Sequence, residues 1–327
     1  VTVASRPWTP AGSTAYRTGP DFCGPAKSGP DILTPMIQEL IAVIAPILIC
    51  AGLGYGWSRT GHDYPAEFIT RIVMNIGAPC LIISSFDQAG VDVDRLGQVA
   101  LASVAVMLIM LLAGTLLIRL LKLPLTTFLP SVLFANIGNM GLPLCFFAFG
   151  ETGLALALTV FLVVFTLHMS LGLMLVSGRG NLGVLWRQPV LWATALAVLL
   201  VLGGWNLPDW LANTTGLLGD ITIPLMLITL GVSLASLKIR EWHHSLMFSI
   251  LRVAGGFAAG WLIATLFGLQ GVERGVLILQ SSMPVAVFNY LLALRYGRDP
   301  GEVAGMVVLS TLLAFIFLPF TVAFVLL

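Results

Sequence analysis

Ala135-Asn136-Ile137-Gly138-Asn139-Met140-Gly141-Leu142-Pro143-Leu144 lies in the middle of an apolar run. Two amides, two glycines and a proline stand where a lipid-facing helix would carry Leu and Val. Proline lacks an amide donor and clashes with the preceding turn, and glycine permits close or unwound backbone, so the helix is expected to break here. Lipid offers no hydrogen bonds, so the freed backbone groups must find protein, water or a bound ligand. This reading requires the run to cross a membrane, and the rest of the chain agrees.

Of the 327 residues, 58% are hydrophobic and 9% charged. A soluble domain carries roughly a quarter charged residues. Apolar runs near 37–58, 66–87, 96–121, 126–149 and 152–177 each reach the ~20 residues a span needs. After Gly178-Arg179-Gly180-Asn181 five more follow, near 189–205, 211–236, 245–269, 272–296 and 301–327. The chain thus reads as an all-α membrane protein of ten transmembrane helices. Residues 1–35 form a Pro-, Gly-, Ser- and Thr-rich extension expected to be disordered, 36–178 the first five-helix repeat and 179–327 the second. A formal charge of +1 gives no argument for a nucleic-acid partner.

The two halves correspond at specific points. Asn75-Ile76-Gly77-Ala78-Pro79 matches Asp220-Ile221-Thr222-Ile223-Pro224, and Pro143 matches Pro284. Gln280-Ser281-Ser282-Met283-Pro284-Val285-Ala286-Val287-Phe288-Asn289 repeats the recipe of the fourth span in the ninth. Because five is odd, the second copy enters from the opposite side. This is the inverted repeat that transporters use, with paired interrupted helices marking the binding site. Helices 4 and 9 are therefore expected to break and cross at mid-membrane, with half-helices starting at or just after Pro143 and Pro284. Their positive ends suit an anion. The residues expected to hold it are Asn136, Gly138, Asn139, Gly141, Pro143, Ser281, Ser282, Pro284 and Asn289.

These motifs resemble the auxin efflux carrier family, which includes auxin exporters and bacterial malate permease-like proteins. The resemblance rests on Asn136 to Pro143, on Met283-Pro284 through Ala293-Leu-Arg-Tyr-Gly297, and on Thr311-Leu-Leu with Leu318-Pro319. It covers Met36 to Leu327. It implies two inverted five-helix repeats with crossing helices 4 and 9, and export or exchange of small organic anions such as malate-like or aromatic carboxylates.

Arg59, Arg119, Lys122, Arg179, Arg187, Lys238, Arg240, Arg295 and Arg298 fall in alternate short loops, against Arg95 and Arg274 in the others. This places both termini outside the cytoplasm, in a plasma (cytoplasmic) membrane. No Lys or Arg is expected at the centre of a span; Arg71 and Arg252 are read as snorkelling from near the ends. Asp220, well inside the seventh span, and its counterpart Asn75 are candidates for coupling to a proton or sodium. His168 reads as a packing residue rather than a relay. Gly52-x-x-x-Gly56 and Gly256-x-x-x-Gly260 read as close helix packing that would also permit a homodimer.

No phosphate-binding loop, metal spacing or disulfide framework occurs among these residues, so no cofactor is expected. An intramembrane enzyme lacks the second acid it would need. A ligand-gated sensor or channel on the same fold stays open beside the leading reading, a carrier driven by gradients.

Overall fold

The structure, a computed structural model, describes residues 33–89, 92–178, 182–205, 207–237 and 242–326. Residues 1–32 of the expected extension and the loop cations Arg179, Lys238 and Arg240 lie outside the described residues.

In chain order the helices are α1 (Leu33–Arg59), α2 (Ala66–Ile72), α3 (Ala78–Ala89), α4 (Val93–Leu120), α5 (Leu125–Leu133), α6 (Leu142–Leu167), α7 (Leu173–Ser177) and α8 (Pro189–Gly203). They continue with α9 (Asp209–Asp220), α10 (Thr222–Ser236), α11 (His243–Ile250), α12 (Gly256–Leu266), α13 (Gly271–Ser281), α14 (Val287–Tyr296) and α15 (Pro300–Leu326). Wide π turns at Val73–Gly77, Ile137–Gly141, His168–Gly172 and Leu251–Gly255 join consecutive pieces. Each of the ten expected stretches is mainly helical among the described residues, with extended breaks in the fourth and the ninth. α1 begins at Leu33, inside the stretch expected to be disordered.

Seven helical runs among the described residues are long and apolar enough to cross a membrane. α8, with 15 residues, reaches about 22 Å and falls short of the ~30 Å hydrocarbon layer. α13 and α14 are separated by a break and are each too short alone. The run Ile137–Ser177 is interrupted at Gly150, whose φ of 64° and ψ of −153° leave the helical region.

Two groups of helices pack side by side. α1 lies along α10, and α3 contacts both α8 and α9. The second group joins α4, α5, α6 and α11 to α15. The groups meet where α3 and α1 touch α6, and where α10 touches the turn Ile137–Gly141.

Close backbone approach within the first group depends on Gly54 and Gly231. A Cβ on Gly54 would lie 2.0 Å from the Ile228 carbonyl oxygen, and one on Gly231 would lie 1.9 Å from that of Ala51. Gly52 and Gly56, expected to pack, meet nothing within 4 Å. They flank the contact by two residues, so on a 3.6-residue period they point away from it. The two matched segments of the halves also touch: a Cβ on Gly77 would lie 2.3 Å from Thr222 Oγ1.

The outer surface is apolar. On α4, Leu101, Leu108, Leu112, Leu116 and Leu120 are exposed while Val99, Ala102, Val106 and Met110 are buried. Exposed Trp57, Trp186, Trp192, Trp205, Trp210 and Trp242 sit near helix ends, where amphipathic rings favour the membrane interface. Arg95 pairs with Glu273 at 3.1 Å, so the starts of α4 and α13 share one end of the bundle. Arg298 Nε donates to the Val176 carbonyl at 2.8 Å, so the ends of α7 and α14 also lie together.

Candidate functional site: the crossing of two broken helices

Between α5 and the turn Ile137–Gly141 the chain is extended, and it is extended again between α13 and α14. These two breaks meet: Ala135 and Val285 form an isolated antiparallel bridge. Asn136 N–H donates to the Pro284 carbonyl at 2.7 Å, and Ala286 N–H donates to the Phe134 carbonyl at 3.1 Å.

Further groups freed by the breaks find partners nearby, as an apolar surround demands. Val285 N–H donates to Ser310 Oγ of α15 at 2.9 Å. The Asn136 carbonyl accepts from Met140 and Gly141 N–H, both at 3.3 Å. Asn289 Nδ2 donates to the Phe134 carbonyl at 3.1 Å, while its Oδ1 meets His168 Nε2 at 2.8 Å. His168 also stacks on Phe134, with ring centroids 4.1 Å apart.

Proline placement differs from expectation. Pro284 lies in the extended break, but Pro143 lies in the first turn of α6, seven residues after Asn136. Its counterpart in the crossing is therefore not Pro284; the Ala135–Val285 bridge sets the correspondence. A proline in an early helical turn costs little because amide donors there lack partners anyway. The wide turn before it, in which Gly141 N–H reaches back five residues to Asn136, gives the ring room. The half-helices thus start at Ile137 and Val287 rather than at the prolines.

The structure brings Asn136, Ser281, Ser282, Pro284 and Asn289 together at the crossing, all five buried, with half-buried Gly138 and Asn139 and buried Gly141 on the adjoining π turn. Gly141 is needed for a close approach, since a Cβ there would lie 2.2 Å from Gln280 Oε1. Ser282 Oγ is spent on the Leu279 carbonyl at 2.9 Å. Asn289 is spent on Phe134 and His168. Asn136 is 5% exposed, and its Nδ2 has no hydrogen-bond partner in the protein. Both amide atoms of Gln280 are likewise buried and unpaired.

Asp220 and Asn75 lie elsewhere. Asp220 ends α9 just before the break at Ile221 and is exposed, not buried among apolar side chains as expected. Thr222 Oγ1 bonds the Leu218 carbonyl rather than Asp220. Glu151 is close enough for the two carboxyl groups to repel, so an acid does stand near Asp220. Asn75 is exposed and donates to the Arg71 carbonyl at 2.7 Å.

Arg252 corrects a further expectation. It does not snorkel: it is 2% exposed, on the π turn between α11 and α12. Its Nη1 donates to the carbonyls of Val132 and Leu133 at 2.7 and 3.2 Å, and its Nη2 donates to the Ser281 carbonyl. Its position ten residues into the span His243–Leu266 was the available signal that an end-on escape to water is long. His168 and Ser310 gave no such signal, because single polar residues on long apolar helices do not reveal which side faces a break.

Beside the crossing, Ala135, Ile137, Arg252, Gln280 and Ser281 help line a cavity of about 20 Å³. That accommodates a water molecule, not an organic acid.

An all-helical bundle with an apolar girdle and a polar crossing of broken helices at its core defines a membrane transporter. The chain matches the family described as membrane transport protein over residues 40–184 and again over residues 182–322, and it belongs to that family, the auxin efflux carrier-like group its motifs resemble. It is 30% identical over 296 residues to an uncharacterized transporter of Methanothermobacter thermautotrophicus, covering 84% of this chain and 95% of that protein. An uncharacterized transporter of Methanocaldococcus jannaschii is 25% identical over the same shares.

Proposed function

We propose that the protein carries a small organic anion across the plasma membrane by alternating access, with ten spans arranged as two inverted five-helix repeats and the cargo held at the crossing. The observation that carries this reading is the unpaired Nδ2 of Asn136, a buried donor beside two helix starts. An unmade hydrogen bond on a buried group costs about 1–3 kcal/mol, so a donor left open there suits an arriving acceptor. A carboxylate meets that donor and the positive ends of the half-helices at Ile137 and Val287 together.

The remaining polar groups divide by what they already bond. Asn139, Ser281 and the backbone at Gly138 and Gly141 are the further contacts proposed for the cargo; Asn289, Ser282 and Pro284 shape the crossing. The cavity next to Gln280 is too small for the cargo, so binding requires an opening, and the contact of α10 with the turn Ile137–Gly141 is the place where the two helix groups would part. Export needs no coupling ion: an inside-negative potential of 100 mV favours exit of an anion by about 2.3 kcal/mol per charge. Coupling through Asp220 or Asn75 has less support, since both are exposed and neither adjoins the crossing.

Counterflow of labelled organic acids in proteoliposomes tests the proposal. Saturable uptake accelerated by the same acid on the opposite side is the expected result for at least one mono- or dicarboxylate. Flux proportional to concentration would indicate a channel, and binding without flux a sensor.

A further inference from the structure

We infer that Arg252 is the resident cation of the crossing, filling with a guanidinium the place where carriers with broken helices bind a sodium ion. In such carriers, unwound carbonyls and the C-terminal ends of half-helices coordinate the metal. Here the equivalent carbonyls are those of Val132 and Leu133, which close α5, and of Ser281, which closes α13. All three accept hydrogen bonds from Arg252.

Charge arithmetic supports the assignment. A helix C-terminus carries roughly half a negative charge, so the ends of α5 and α13 together offset one guanidinium. Among the described residues Arg252 makes no ion pair with a carboxylate, and none is required. Two backbone features exist to let it reach. The π turn Leu251–Gly255 carries it at the level of the breaks. Gly256 clears its path, since a Cβ there would lie 2.0 Å from the Ser281 oxygen and 2.4 Å from Arg252 Nη2. Gly260, one turn on, lets α12 press against Ser281 and Ile278. The planar fork addresses carbonyls on two different helices at once, which a lysine ammonium does less well.

The consequence is a crossing whose integrity is independent of sodium. This holds whatever the cargo is.

The test uses the purified full-length protein in detergent, with unfolding followed by tryptophan fluorescence at constant ionic strength. Wild type should show the same Tm in sodium and in choline and should bind no radioactive sodium saturably. Arg252→Lys should lose several degrees of Tm and Arg252→Gln, of similar length but uncharged, should lose more. Arg252→Ala should regain at least half of its loss on adding guanidinium at low millimolar concentration, but not with urea, and should also respond to sodium. A merely space-filling arginine would give Gln no worse than Lys and no difference between guanidinium and urea. Either of those results, or saturable sodium binding by the wild type, overturns the assignment. If Arg252→Ala does not fold, the order of Lys and Gln and the wild-type sodium measurements decide.

Discussion

The 2.8 Å bond between His168 Nε2 and Asn289 Oδ1 fixes which imidazole nitrogen carries the proton. The Phe134 carbonyl can only accept, so the amide nitrogen of Asn289 must face it and the amide oxygen must face His168. His168 is therefore the donor, protonated at Nε2. One side chain each from α14 and from the turn after α6 thereby lock the extended segment that follows α5.

This lock predicts a specific order of stabilities. Asn289→Ala leaves the His168 donor unpaired and removes one bond from Phe134, which costs about 1–3 kcal/mol for each buried group left open. His168→Gln, whose Nε2 can stand in for the imidazole donor, should lose less than His168→Ala. Thermal unfolding of the purified variants checks the order, and equal losses for Gln and Ala would show that stacking on Phe134 rather than the hydrogen bond matters.

Glycines separate into two groups by what a methyl would strike. Gly54→Ala and Gly231→Ala should push α1 and α10 apart and destabilise the protein by about 1–3 kcal/mol. Gly52→Ala and Gly56→Ala should be near neutral. Gly141→Ala should be rescued in part by Gln280→Ala, since the clash is with the Gln280 side chain. A double-mutant cycle on the Tm or the denaturation free energy reads this coupling, and strict additivity would contradict the contact.

The starts of α4 and α13 should be reachable from outside intact cells and the ends of α7 and α14 only after the membrane is opened. The loop bias of Lys and Arg motivates the direction, and the Arg95–Glu273 and Arg298–Val176 contacts say which loops share a side. Single cysteines beside Gly271 and beside Gly297, in a background lacking the native cysteines, can be labelled with a membrane-impermeant reagent. Labelling of the second before the first would reverse the topology.

Hydropathy located the helices because lipid imposes a length and a polarity on each one, and the amide, glycine and proline cluster located the crossing because irregular backbone at that depth needs polar company. Asn136 and Asn289 were both legible for that reason. Their different employment was not: whether an amide is spent on Phe134 and His168 or left open depends on neighbours more than a hundred residues away. Pro143 misled in register because proline is tolerated in a first helical turn, so it followed the break instead of marking it. Gly54 escaped notice between Gly52 and Gly56 because spacing alone does not say which face of a helix has a partner. Arg252 was read as an end residue because composition places a cation near water by default, whereas two convergent helix ends supply a partner that no single sequence window contains. Asp220 erred the other way: an acid between apolar neighbours in sequence faces outward in space.

Asn136 decides whether the crossing holds the cargo. Its Nδ2 is buried and unpaired, and a hydrogen bond to a charged acceptor contributes about 1.5–3 kcal/mol. Asn136→Ala, measured for affinity toward whichever organic acid shows counterflow, should bind about tenfold to a hundredfold more weakly. Its Tm without the acid should match or exceed that of the wild type, because the substitution removes an unsatisfied group. Unchanged affinity at unchanged Tm would contradict the claim that the crossing holds the cargo.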